Sequence, residues 1–176
     1  MGRIRLLILL LLSAVIFTSC GVDTRFSDYR RNAFSADIEY YYDGELLFCG
    51  IVEVDEETES ETRDIRITLT SPEAMRGATV YRENGEIRIR IGEREMRGDS
   101  FSAILSGAEL IIPVGDHLSA EKLELSGKMY IRTKFASETE IYFDPDTQLP
   151  VEIRKDGQRL VVRKMTVSSE NKNEKE

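Results

Sequence analysis

"AFSADIEYYYDGELLFCGIVEV", residues Ala33 to Val54, decides the fold class. Apolar and polar side chains alternate with period two on either side of an Asp-Gly pair, the pattern of two antiparallel strands joined by a tight turn. The register follows from the pairing that keeps one face apolar. A three-residue loop, Tyr42-Asp43-Gly44 with Gly44 in the left-handed conformation, pairs Tyr40 with Leu46, Ile38 with Phe48, Ala36 with Gly50 and Phe34 with Val52. A two-residue Asp-Gly loop pairs Phe34 with Glu53 and mixes the faces, so the longer loop is expected. Around Cys49 both faces are apolar, since Leu47, Cys49 and Ile51 oppose Leu46, Phe48 and Gly50. That predicts a strand covered on both sides, with Cys49 as a buried thiol.

The same period runs through the rest of the chain. "TRDIRITLT" (Thr62–Thr70) turns Ile65, Ile67 and Leu69 inward. "SPEAMRG" (Ser71–Gly77) reads as one helical turn, with Ser71 as cap, Pro72 at its first position and Gly77 at its exit. "ATVYRENGEIRIRI" (Ala78–Ile91) is a second hairpin, in which a type I′ turn at Asn84-Gly85 pairs Val80 with Ile89 and Ala78 with Ile91. "SFSAILSGAELIIP" (Ser100–Pro113) is the one good helix pattern, with Phe101, Ile104, Leu105 and Ala108 on one face behind Ser100 as cap, and Gly107 weakening it. Strands resume at "KMYIRTKF", "TEIYF", "LPVEIRK" and "QRLVVRKMTV", with turns at 136–138, 144–148 and Asp156-Gly157. The fold class is mainly β (α+β): one curved antiparallel sheet with short helices.

The N-terminus carries an address. The apolar run Leu6–Phe17 follows Arg3 and Arg5 and ends in "FTSCG". Twelve residues of helix cover about 18 Å, short of a hydrocarbon core of about 30 Å. A basic leader, a short apolar run and then small residues make an export signal. "FTSCG" is similar to the lipobox of bacterial lipoproteins, with Phe17 where leucine is usual. That likeness implies cleavage before Cys20 and lipid, acyl chains of the palmitate type, on its sulfur. An uncleaved anchor and ordinary secretion are the alternatives. A buried methylene is worth about 0.8 kcal/mol, so one chain holds marginally and two or more hold firmly. The expected organisation is a signal at 1–19, a tether at 20–32, one domain at 33–167 and a disordered polar tail at 168–176. The protein then sits lipid-anchored on the extracytoplasmic side of the cell membrane.

Composition narrows the partners. The formal charge is −8 over the full chain, and losing Arg3 and Arg5 makes the mature domain more acidic still. Such a domain has no electrostatic attraction for nucleic acid. With Cys20 lipidated, Cys49 is the remaining thiol and no intrachain disulfide forms. His117, in "PVGDHLSAE", reads as a surface loop residue, without a nucleophile–base arrangement beside it. "YFDPDTQLP" has an Asp-x-Asp spacing, but Gln148 stands where a phosphoryl-transfer motif needs threonine, and Asp144 and Asp146 read as turn residues. "DEETESE" (Asp55–Glu61) lacks the alternating ligands and central glycine of a calcium loop and reads as a solvated acidic stretch. The Arg and Glu residues alternating along the strands read as cross-strand pairs on the wet face, with an anion-binding face as the alternative. No cofactor motif is present, and the chain reads as a binding protein, not an enzyme.

"FSADIEYYYDGELLFCGIV", "RITLTSPEAMRGATVYRENGEIRIRI" and "IYFDPDTQLPVEIR" together resemble the LolA/LolB-like superfamily, over roughly Phe34 to Val167. The likeness lies in two hairpins, a P-x-x-x-x-G turn at Pro72–Gly77 and a D-P-x-T-x-L-P turn at Asp144–Pro150. It implies an unclosed half-barrel with short helices over an apolar concave face that holds acyl chains or other hydrophobic ligands, and no catalytic residues. The family's carrier-specific basic residue matches no position here. A large curved sheet with little helix to fill it tends to leave a groove. Its expected lining is Phe34, Ile38, Tyr40, Phe48, Ile67, Leu69, Val80 and Ile89, lidded by Phe101, Ile104 and Leu105. The rival expectation is a structural or regulatory envelope protein whose packed core leaves a sheet edge or the Arg/Glu face to bind a protein partner. Replacing Cys20 with alanine should abolish lipid attachment and processing. Intact-mass measurement of the membrane-extracted protein checks this, and an unchanged mature mass with N-terminal lipid contradicts the lipobox reading.

Overall fold

The computed structural model describes residues 29–56, 63–83 and 85–168. The expected export signal, Cys20, the expected tether up to residue 28, residues 57–62 of the acidic stretch, Asn84 and the tail from residue 169 lie outside the described residues. Eleven strands form one antiparallel sheet: β1 (Phe34–Tyr42), β2 (Glu45–Val54), β3 (Ile65–Ser71), β4 (Thr79–Glu83), β5 (Glu86–Ile91), β6 (Arg94–Arg97), β7 (His117–Leu125), β8 (Lys128–Phe135), β9 (Glu140–Phe143), β10 (Pro150–Lys155) and β11 (Gln158–Val167). Their order is β6-β5-β4-β3-β2-β1-β11-β10-β9-β8-β7. The chain therefore starts at the middle of the sheet, meanders out to β6, crosses to the far edge at β7 and meanders back to pair β11 with β1. The sheet is not closed. The crossover, Gly98–Asp116, carries the one α-helix among the described residues, α1 (Ser102–Glu109), which packs over β3, β4 and β11.

From Phe48 onward the faces of the central hairpin are as expected, but its register is not, and Leu46, expected opposite Tyr40 on the apolar face, is exposed opposite Tyr41. Phe34 pairs with Val54, Ala36 with Val52, Ile38 with Gly50 and Tyr40 with Phe48, whereas Tyr41 pairs with Leu46 and Tyr42 with Glu45. The turn is the two-residue Asp43-Gly44, both at positive φ (48° and 85°), as a type I′ turn requires. A bulge at Leu47 absorbs the odd residue and restores the apolar pairing. The second hairpin follows its expected register, with Val80 opposite Ile89.

Three further expectations are corrected. Strands β6 and β7 occur where no strand was expected, and His117 opens β7 rather than lying in a loop. As edge strands, both are largely exposed and lack the apolar alternation that marks a buried face. Ser71 does not cap the turn at Glu73–Met75, and neither Ser100 nor any other side chain caps α1. Cys49 is half-buried and not enclosed, because no second layer covers the convex face among the described residues; burial still pushes its thiol pKa up.

The end of the expected tether belongs to the domain. Tyr29 is buried, edge-on to Phe34 and Phe143 at 5.7 and 6.2 Å, and its hydroxyl donates to the Ile111 carbonyl at 2.8 Å. Arg30 lies over the Phe135 ring and donates to the Pro113 carbonyl. The Arg63 guanidinium donates to the carbonyls of Arg30, Asn32 and Asp55. Tyr29 stands in the polar run Ser27–Asn32, too short to show a period, so nothing in the local pattern marks it as core.

On the convex face the Arg/Glu alternation forms cross-strand pairs. Arg88 meets Glu95 at 2.8 Å, Arg132 meets Glu121 and Glu140, and Arg163 makes a two-pronged contact with Glu39 at 2.8 and 2.9 Å. The hydrogen bonds from Arg163 and then Tyr41 hold the Glu39 carboxyl below the usual range. A native pKa below the unfolded value gives stability that is complete above the ordinary glutamate pKa of about 4.3 and is lost as pH falls through the native one. With the Arg163 side chain 60% exposed, the contribution should stay under about 1 kcal/mol. Urea unfolding should therefore find Glu39→Gln slightly less stable than wild type at neutral pH and equal to it in strong acid.

Candidate functional site

The cross-strand pair Tyr40 and Phe48 stacks on the concave face with ring centroids 4.9 Å apart. Helix α1 lies against this stack. Leu105 and Ala108 are wholly buried beneath it, and Gly107 is the point of contact: a Cβ there would lie 3.0 Å from the Tyr40 ring and 3.2 Å from Phe48. The glycine that weakens the helix in isolation is what lets the helix approach the sheet. A Gly107→Ala chain must shift either the ring or the helix.

All eleven residues expected to line a groove share one hydrophobic core, but most of them leave no groove. Ile38, Ile67, Val80, Ile89 and Leu105 are 0% exposed and Phe34 is nearly so. The crossover brings α1, Leu110 and Ile111 onto the middle of the concave face, and these side chains fill it. Phe101 is half-buried against the same core.

What stays open is a pocket of about 440 Å³ at one end of the sheet. Tyr40, Phe48, Leu69 and Ile104 line it, four of the expected residues. The others come from the β2 bulge, the Pro72–Met75 turn, α1 and the start of β11. The bulge puts Leu47 at the rim beside Tyr42, 51% and 48% exposed. The Pro72–Met75 turn closes one wall, and Ala103 and Ser106 of α1 another. At the base of β11, Gln158 accepts a hydrogen bond from the Tyr40 hydroxyl at 3.0 Å. Burial raises the Tyr40 pKa, so this hydroxyl stays protonated at neutral pH. No charged side chain lines the pocket among the described residues.

A larger hollow, of about 740 Å³, is walled by Arg66, Arg88 and Arg90 with Glu53, Asp64 and Glu95. Arg66 and Arg90 both lie against the Tyr81 ring, 5.9 and 5.2 Å from its centroid, and the Tyr81 hydroxyl donates to Glu95 at 2.8 Å. Its charges are of both signs, and Arg88 and Glu95 pair across it. Phe34, one of the expected lining residues, borders it together with Val54 and Ile65, but charged side chains dominate its wall. Asp144 is a turn residue, accepting from the amides of Asp146 and Thr147.

No protein-family model matches the chain, and no curated protein matches it. Among solved structures, the fold is similar to an uncharacterized conserved protein from Thermus thermophilus (13% identity, 82% of this chain and 83% of that one, TM-score 0.48). It is also similar to a LolA superfamily protein from Nitrosomonas europaea (9%, 82% and 92%, 0.38) and to the Mycobacterium tuberculosis lipoprotein LppX (13%, 82% and 90%, 0.39).

The partition between core and pocket makes opposite predictions for two charges. Ile89→Glu buries a carboxylate with no partner, at a cost of several kcal/mol, and should abolish cooperative thermal unfolding. Leu47→Glu, at the rim, should leave the melting temperature close to wild type. Circular dichroism melts of the two variants check this.

Proposed function

We propose that this protein binds an apolar, lipid-like molecule in the pocket between α1 and the β1–β2 hairpin, as a carrier, chaperone or sensor in the cell envelope. In this reading it is held at the extracytoplasmic face of the membrane by lipid on Cys20, and it performs no catalysis. The observation that carries the reading is the contrast on the concave face. The middle is packed shut, yet the end under α1 keeps an uncharged hollow with the large apolar side chains Tyr42 and Leu47 held at its mouth. Its volume falls within the range of about 300–1,000 Å³ typical of small-molecule sites. Exposed leucine and tyrosine beside an apolar cavity gain from covering by an apolar ligand, at about 25 cal/mol per Å² removed from water.

The packed middle favours a second reading, a scaffold that binds a protein partner. Strand β7 offers nine residues of exposed edge for such a partner. One experiment separates the two. The chain from Gly21 onward keeps every described residue of the sheet and core and lacks the anchor's own acyl chains. Titrated with the neutral probe N-phenyl-1-naphthylamine, it should show saturable one-to-one fluorescence enhancement. Leu47→Glu should weaken that binding by tenfold or more, about 1.4 kcal/mol, without loss of fold. Absence of saturable enhancement in the wild-type chain favours the scaffold.

A further inference from the structure

The chemistry of the pocket wall narrows what its ligand can be. We propose that the pocket selects a single-chain amphiphile with an uncharged polar head, an ester, amide or alcohol, over one with an ionised head; this rests on the binding function proposed above. Three observations carry it. Among the described residues the lining holds no Arg, Lys, Asp or Glu, so a carboxylate or ammonium drawn into it loses water and meets no opposite charge. The polar groups present are all neutral, and they include the hydroxyls of Tyr40 and Ser106 and the amide of Gln158. The Tyr40 hydroxyl is already committed as donor to Gln158 Oε1, which fixes the amide and leaves its NH₂ as a donor for a carbonyl or hydroxyl oxygen. The size sets the rest: about 440 Å³ lies near the small end of ligand pockets, room for one acyl chain and not for two or three side by side.

The test is competition. The chain from Gly21 onward, loaded with N-phenyl-1-naphthylamine at neutral pH, is titrated with 1-lauroylglycerol, laurate and dodecyltrimethylammonium. These three share a twelve-carbon tail and differ in head charge. Lauroylglycerol should displace the probe at a concentration at least roughly tenfold lower than either charged amphiphile. A two-chain dilauroylglycerol should compete less well than the single-chain ester. Tyr40→Phe keeps the stack on Phe48 and removes the hydroxyl that orients Gln158, and Gln158→Leu removes the amide. Both should narrow the preference for lauroylglycerol over laurate, with each displacement referred to the probe affinity measured in the same variant. Equal displacement by laurate, or a preference untouched in both variants, overturns this inference alone, because the probe still binds. If the wild-type chain does not take up the probe, the binding function falls, and this inference with it.

Discussion

An antiparallel sheet that does not close has one apolar face to cover and few ways to cover it. Here consecutive strands are neighbours in the sheet except at one step, so the task falls to the crossover from β6 at one edge to β7 at the other. That crossover runs across the concave face and brings α1, Leu110 and Ile111 with it. Helix α1 is only eight residues long, about 12 Å at helical rise, and cannot cover eleven strands. The segment from Tyr29 to Asn32 assists over β9 and β8, where Tyr29 reaches Phe143 and Ile111, and Arg30 reaches Phe135. Coverage ends at the mouth of the β1–β2 hairpin, and that is where the pocket lies.

Two local features decide the shape of that opening. At Gly107 the absent side chain lets α1 rest on the Tyr40–Phe48 stack, which closes the middle of the face. The bulge at Leu47 then takes one residue out of the ladder and aims it at the rim. Without the bulge, a two-residue Asp-Gly turn would rotate every later side chain of β2 to the opposite face. The same irregularity therefore keeps Phe48, Gly50, Val52 and Val54 in the core and supplies the pocket with its exposed leucine.

The alternation of apolar residues made the faces of most strands, the second hairpin and the membership of the core legible in advance, because a face buried on one side must repeat every two residues. The bulge was not legible. Turn chemistry favoured a two-residue loop at Asp43-Gly44 and face matching favoured a three-residue one, and a single extra residue reconciles them. Edge strands β6 and β7 bury too little to show a period, and Tyr29 stands in a polar run too short to have one. For the site, Tyr40, Phe48, Leu69 and Ile104 were visible as members of the apolar face, but which part of that face stays open depends on how far the crossover reaches. Gly107 read as a flaw in the helix, and only the distance to Tyr40 shows what it permits.

The division of the concave face into a packed middle and an open end is tested most directly by methyl NMR of the chain from Gly21 onward during titration with N-phenyl-1-naphthylamine, whose rings shift any methyl they touch. Shifts confined to Leu47, Leu69, Met75 and Ile104, with Ile67, Val80 and Ile89 unmoved, are the predicted result. Shifts spreading along Ile67, Val80 and Ile89 would show a groove running the length of the sheet and contradict it.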